Sequence, residues 1–74
     1  MGKVKIELNT LTDIREFVDI VSDPEIQGDI KLTDGNSYTT NARSLLGAMA
    51  SVEWSELYCV SDEDIYTKIQ KFAR

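Results

Sequence analysis

The chain has 74 residues, of which 42% are apolar, and a formal net charge of −5. This length predicts a single domain, residues 1–74, with one hydrophobic core. One cysteine excludes an internal disulfide framework, and the absence of histidine removes the most frequent general base and metal ligand. The apolar runs are too short for a membrane span or a signal peptide, so we expect a cytoplasmic protein without cofactor, metal or membrane contact.

Residues 3–8 alternate between charged and apolar side chains, which predicts a half-buried strand with Val4, Ile6 and Leu8 on one face. A helix follows, because apolar residues then recur every three or four positions. Thr10 is its predicted N-cap, with Asp13 as capping-box partner, and Asp23-Pro24 ends it. The predicted core stripe of this helix consists of Leu11, Ile14, Phe17, Val18 and Val21.

The next three elements are predicted from turn and capping residues. Segments 28–33 and 36–40 flank Asp34-Gly35, a dipeptide typical of a β-hairpin, and are therefore predicted to be antiparallel strands. With Asn41 as N-cap, a middle helix would turn one apolar stripe toward the core. That predicted stripe consists of Ala42, Leu45, Leu46 and Met49.

Residues 54–60 are aromatic and β-branched and are predicted to form the fourth strand. Alternation would put Trp54 and Tyr58 on one face, either as part of the core or as an exposed aromatic patch. Ser61, with Asp64 three residues later, is the predicted start of a last helix whose buried stripe is Ile65, Ile69 and Phe72. The order β-α-β-β-α-β-α predicts an α+β fold in which one sheet has helices on one side.

The residues offer little catalytic chemistry. Cys59 lies in a predicted strand without a nearby base and is expected to be a small buried apolar residue. The acidic run 62–64 suits the positive end of a helix better than a metal site. A scattered set of basic residues in an acidic chain argues against nucleic-acid binding. A small enzyme that uses the carboxylates of Glu53 and Glu56 stays a minor alternative.

Ser44 allows two interpretations. With Asn41 as N-cap it would be the third residue of the middle helix and face solvent, where the helix dipole favours a phosphate. Arg43 beside it could be an electrostatic partner. The other interpretation is a serine that only helps to start a short helix.

Residues 41–49 read Asn-Ala-Arg-Ser-Leu-Leu-Gly-Ala-Met. This stretch and the order of elements resemble the HPr family, the small phosphocarriers of the bacterial sugar phosphotransferase system, whose middle helix typically reads Asn-Ala-Lys-Ser-Ile-Met-Gly-Val-Met. The resemblance extends to the Asp-Gly hairpin and to Phe17-Val18. It implies an HPr-like open-faced β-sandwich, with a four-stranded antiparallel sheet and three helices on one face.

The two functional sites of that family differ in how well they match this chain. The phosphocarrier motif Gly-Leu-His-Ala-Arg-Pro is replaced around residues 10–12 by a segment without histidine, so a phosphohistidine relay and enzymatic activity are not expected. Ser44 matches the regulatory serine, which an HPr kinase phosphorylates and a transcriptional regulator then recognises. The resemblance thus implies a regulatory protein, with Arg43, Leu45, Gly47 and Ala48 around Ser44 as candidate partner contacts.

A second hypothesis is a diverged HPr-fold scaffold from a phage, a mobile element or a design. In that case the helix motif would serve core packing alone, and the chain would have no role in the phosphotransferase system.

Overall fold

Four short strands form one antiparallel sheet in the computed structural model, which describes residues 2–74. Their spatial order is β1-β4-β2-β3, so the first and third strands are the edges. The strands are β1 (Gly2–Lys5), β2 (Ile30–Thr33), β3 (Thr39–Asn41) and β4 (Tyr58–Ser61).

Three helices cover one face of this sheet and leave the other face open. They are α1 (Leu11–Val21), α2 (Leu45–Ser51) and α3 (Tyr66–Ile69), the last continuing as a 3-10 turn (Gln70–Phe72). The core lies between the layers, where Phe17, Leu32 and Ile69 are fully buried. The predicted α+β fold, with element order β-α-β-β-α-β-α, is confirmed. Within residues 2–74 no helix is long and apolar enough to cross a membrane.

The predicted alternation of residues 3–8 is confirmed, although the strand itself ends at Lys5. Ile6 and Leu8 are buried, and Val4 packs against the core. Beyond Lys5 the backbone pairs with the C-terminal segment, since the Glu7 amide donates to the Phe72 carbonyl at 2.9 Å. The C-terminal residues therefore cover this end of the β1 edge.

Helix α1 begins at its predicted cap. The Thr10 hydroxyl accepts from the Asp13 amide at 3.1 Å, and the Asp13 carboxylate accepts from the Asn9 amide at 3.1 Å. Ile14, Phe17 and Val21 are buried as predicted. Leu11 is 53% exposed, so its assignment to the core stripe was wrong and the stripe starts one turn later.

The hairpin between β2 and β3 is antiparallel as predicted, but its loop is longer than the two residues that Asp34-Gly35 suggested. One Asp34 carboxylate oxygen accepts from the amides of Asn36, Ser37 and Tyr38 at 2.9–3.0 Å. These amides are held in the loop, so β3 begins at Thr39 and not at residue 36.

The last helix is shorter than predicted, and Ser61 does not cap it. Ser61 is paired in the sheet with Gly2 and with Ile30, so its backbone is extended and belongs to β4. Helix α3 starts at Tyr66, whose amide donates to the Asp64 carboxylate at 3.1 Å. The predicted buried stripe Ile65, Ile69 and Phe72 is confirmed.

Candidate partner-binding surface on the middle helix

The prediction that Asn41 caps the middle helix was wrong. Asn41 is the last residue of β3 and pairs with Lys31, which keeps its backbone extended. Its side-chain oxygen accepts from the Arg43 amide at 2.9 Å, and its carbonyl accepts from the Ser44 amide at 3.1 Å. The chain therefore makes a turn before α2, and the helix begins about three residues later than predicted.

Ser44 is the N-cap of α2 and not its third residue. Its backbone is extended, with φ −96° and ψ 119°, and its hydroxyl accepts from the Gly47 amide at 3.1 Å. The side chain is half-buried. Ser44 thus starts the helix, since this bond satisfies an amide at the helix start that would otherwise lack a partner.

The Arg43 side chain is bonded to the end of α1 and to the loop between α1 and β2. Its guanidinium donates to the carbonyls of Val21, Gly28 and Ile26, each at 2.8–2.9 Å. No local pattern in the sequence indicates this role, because Arg43 lies 15 to 22 residues from its acceptors. Arg43 therefore anchors a loop, and each of its three guanidinium nitrogens donates one hydrogen bond there.

The large side chains of the middle helix face solvent, contrary to the predicted stripe. Leu46 is 79% exposed, and Leu45, Met49 and Val52 are 36–42% exposed. On an ideal helical wheel these four positions span an arc of about 120°. We call this surface, Leu45, Leu46, Met49 and Val52, the α2 apolar arc. Of the residues predicted to be buried, only Ala42 is in the core.

Small residues make up the buried side of α2, and they explain its orientation. Ala48 and Ser51 are fully buried, and the Ser51 hydroxyl donates to the Ala48 carbonyl at 2.7 Å. A Cβ at Gly47 would collide with the Thr40 hydroxyl and approach the Asn41 carbonyl to 3.3 Å. Close approach to β3 thus requires small side chains, which turns the large ones outward. Ala48 is in the core, so it cannot be part of a docking surface.

A cavity of about 350 Å³ adjoins the C-terminal end of the α2 apolar arc. Val52 and Trp54 line it on one side, and its wall carries two ion pairs. These ion pairs are Lys5–Glu56 at 3.3 Å and Arg74–Glu7 at 3.1 Å.

Trp54 precedes β4 instead of lying within it, because that strand begins at Tyr58 and not at residue 54. The indole is half-buried against the core and stacks on Tyr38, with ring centroids 5.6 Å apart. The two aromatics that the sequence placed on one strand face are therefore in different environments, since Tyr58 lies under the Lys3 ammonium, 4.7 Å from its ring centroid.

Three further reactive side chains, Cys59, Glu56 and Asp62, are buried or have structural partners. Cys59 is buried as predicted, and burial raises the pKa of its thiol to about 12. Glu56 pairs with Lys5, and an Asp62 carboxylate oxygen accepts from the Asp29 amide at 3.0 Å. In the part of the chain described, residues 2–74, no three carboxylate or cysteine side chains are grouped as metal ligands would be.

No family model, curated protein or solved structure matches the chain. The resemblance to HPr therefore depends on residues 41–49 and on the order of the elements. The function proposed below is therefore based on the exposed apolar side chains of α2.

Proposed function

We propose that this chain is a non-catalytic, HPr-like regulatory module of the bacterial cytoplasm that acts by protein–protein contact through the α2 apolar arc. The observation that carries the proposal is the outward orientation of four large apolar side chains on and just after a seven-residue helix. Contiguous exposed apolar side chains of this kind are typical of interaction sites. The HPr resemblance of residues 41–49 covers the same helix.

The chemistry of the arc defines the partner surface that fits it. Residues 45–51 include no charged side chain, so the contact would be driven by apolar burial. Leu46 is the most exposed member and would be the central anchor. A partner with a shallow apolar groove, such as the HPr kinase or transcriptional regulator that the resemblance implies, fits this surface.

Ser44 would act as a switch next to the arc. A phosphate on its hydroxyl would add a charge of about −1.5 to −2 at the N-terminus of α2, where the free amides and the helix dipole favour an anion. The modified side chain would give up its present bond to the Gly47 amide. Since Arg43 is bonded to three loop carbonyls, the helix N-terminus would be the main support for the phosphate.

The experiment is an intact-mass measurement after incubation with ATP and an HPr kinase. We expect one added phosphate on the wild type and none on Ser44→Asn, a variant that keeps a good N-cap. A parallel incubation with enzyme I and phosphoenolpyruvate should leave the mass unchanged, because the chain has no histidine. A wild type that the kinase leaves unmodified would contradict the regulatory proposal.

The alternative, a diverged HPr-fold scaffold with no phosphotransferase role, is favoured by one observation. Within residues 41–49, Gly47 and Ala48 each have a packing reason to be small, so this part of the motif can be explained without a partner. Under this alternative, Ser44→Asn and Leu46→Ser would change neither modification nor binding.

A further inference from the structure

The face of the sheet opposite the helices carries three lysines that are far apart in the sequence. The strand register places Lys3 and Lys31 on either side of Val60, and Lys5 beside Tyr58. All three lysines are exposed. We call this surface, Lys3, Lys5, Lys31, Tyr58 and Val60, the lysine face.

The lysine face differs in charge from the rest of the molecule. The four strands contain three lysines and no acidic residue, whereas the other residues include five basic and thirteen acidic side chains. The lysine face thus has a formal charge of +3, whereas the residues outside the strands have a formal charge of −8. Neighbouring strands lie roughly 4.8 Å apart, and β4 lies between β1 and β2, so the backbones of Lys3 and Lys31 are about 10 Å apart. This distance is close to the Debye length of about 8 Å at physiological salt. The three ammonium groups can therefore act on one ligand.

These ammonium groups are not committed to strong partners. Lys5 pairs with Glu56 at 3.3 Å, but both side chains are about half exposed, and such pairs are weak. Lys3 lies over the Tyr58 ring. Within residues 2–74, neither Lys3 nor Lys31 forms an ion pair. A depression of about 310 Å³ lies beside Lys31, with Thr39, Asn41 and Asp29 among the residues that line it.

We propose that the lysine face binds a short acidic peptide segment of a partner protein. Charge complementarity requires an anionic ligand, and the exposed Thr39 and Asn41 offer hydrogen-bonding groups beside Lys31. The ligand must be short, because Glu56 lies at the Lys5 end and Asp29 and Asp62 flank the strands at the other end.

Two other occupants fit this surface less well. A second copy docked sheet to sheet would oppose lysine to lysine, which costs free energy. A long nucleic acid would extend beyond three lysines onto acidic surface, and the net charge of −5 would repel it. The proposal is independent of the α2 apolar arc, which is a separate surface on the helical layer.

The test measures the fluorescence anisotropy of a labelled six-residue peptide in which Glu alternates with Thr, with the Gln-Thr peptide of the same length as neutral control. The key variant is Lys3→Gln/Lys5→Gln/Lys31→Gln. The matched variant, Arg15→Gln/Lys68→Gln/Lys71→Gln, has the same net charge but changes only exposed residues of the helical layer. Circular dichroism verifies that both variants are folded.

We expect saturable binding of the Glu-Thr peptide that weakens with added salt and falls about tenfold or more in the key variant, given the small contribution of each exposed charge pair. The matched variant should bind like the wild type. Absence of binding, or equal weakening in both triple variants, would overturn the proposal. Tighter binding of a single-stranded oligonucleotide than of the peptide, or dimerisation that depends on the three lysines, would overturn the assignment of the occupant.

Discussion

Replacement of Arg43 by alanine is the substitution for which the structure makes the sharpest stability prediction. The guanidinium donates three hydrogen bonds, at 2.8–2.9 Å, to the carbonyls of Val21, Ile26 and Gly28. Two of these bonds are partly buried, and the Val21 and Ile26 residues themselves are in the core. Removal of the side chain leaves carbonyls without a donor in a place where water has limited access.

The expected loss follows from the two partly buried bonds. A buried acceptor that loses its donor costs about 1–3 kcal/mol, and these two carbonyls are only partly buried, so each should cost about 1–2 kcal/mol. The exposed Gly28 carbonyl can regain water, so we expect a total loss of about 2–4 kcal/mol. A domain of this size has a free energy of unfolding of roughly 4–11 kcal/mol. The variant would therefore lose a large part of its stability, with a melting temperature lower by about 10–25 °C.

The assay is urea unfolding followed by circular dichroism and Trp54 fluorescence. Arg43→Lys should lose less, about 1–2 kcal/mol, because an ammonium keeps the charge but not the planar arrangement of donors. Arg15→Ala, an exposed arginine of α1, is the control and should stay within about 0.5 kcal/mol of the wild type. An Arg43→Ala variant as stable as this control would refute the anchoring role.

Three further predictions concern a glycine, a thiol and a carboxylate. Gly47→Ala should destabilise the protein by about 1–3 kcal/mol despite the helix propensity of alanine, because the new Cβ would collide with the Thr40 hydroxyl. Adding Thr40→Ala to this variant should restore part of the lost stability. If thermal unfolding shows no loss of stability in Gly47→Ala, the packing of α2 on β3 is contradicted. Burial raises the pKa of Cys59 to about 12, so Ellman's reagent at about pH 8 should react only with unfolded protein, and fast labelling of the native state would contradict this. The amides of Tyr38, Asn36 and Ser37 lower the pKa of Asp34 below its usual 3.8, so its contribution to stability is present above that value and lost as the pH falls through the lower folded pKa. Melting curves of Asp34→Asn should show a weaker decline in acid than the wild type, and equal slopes would contradict the assignment.

Local patterns predicted those parts of the fold that depend on neighbours in the sequence. The alternation of residues 3–8, the Thr10 cap and the stripe Ile65, Ile69 and Phe72 were all readable, since each is a short-range signal. The order of the elements followed from them.

The two wrong caps have a common cause. Asn41 and Ser61 are residues that favour helix N-caps, and both lie near a helix start. Each is instead held extended by sheet pairing, with Lys31 in one case and Gly2 in the other. Such long-range pairing leaves no local signal in the sequence, so the capping preference was misleading.

The two proposed binding surfaces were not predicted from the sequence for a similar reason. The exposed side of α2 was assigned wrongly because the small residues Gly47 and Ala48, and not the large apolar ones, decide which side packs. Lys3 and Lys31 appeared scattered, but the strand register brings them to either side of one β4 residue. Both surfaces depend on contacts between elements that are distant in the chain.

The most direct test of the α2 apolar arc as an interaction surface is a calorimetric titration with an HPr kinase. We predict saturable binding that weakens at least about tenfold in Leu46→Ser/Met49→Ser, since two exposed apolar anchors are lost. Tyr66→Ser, which removes an exposed large side chain from α3, should bind like the wild type. No binding by the wild type, or unchanged binding by the double variant, would contradict the account.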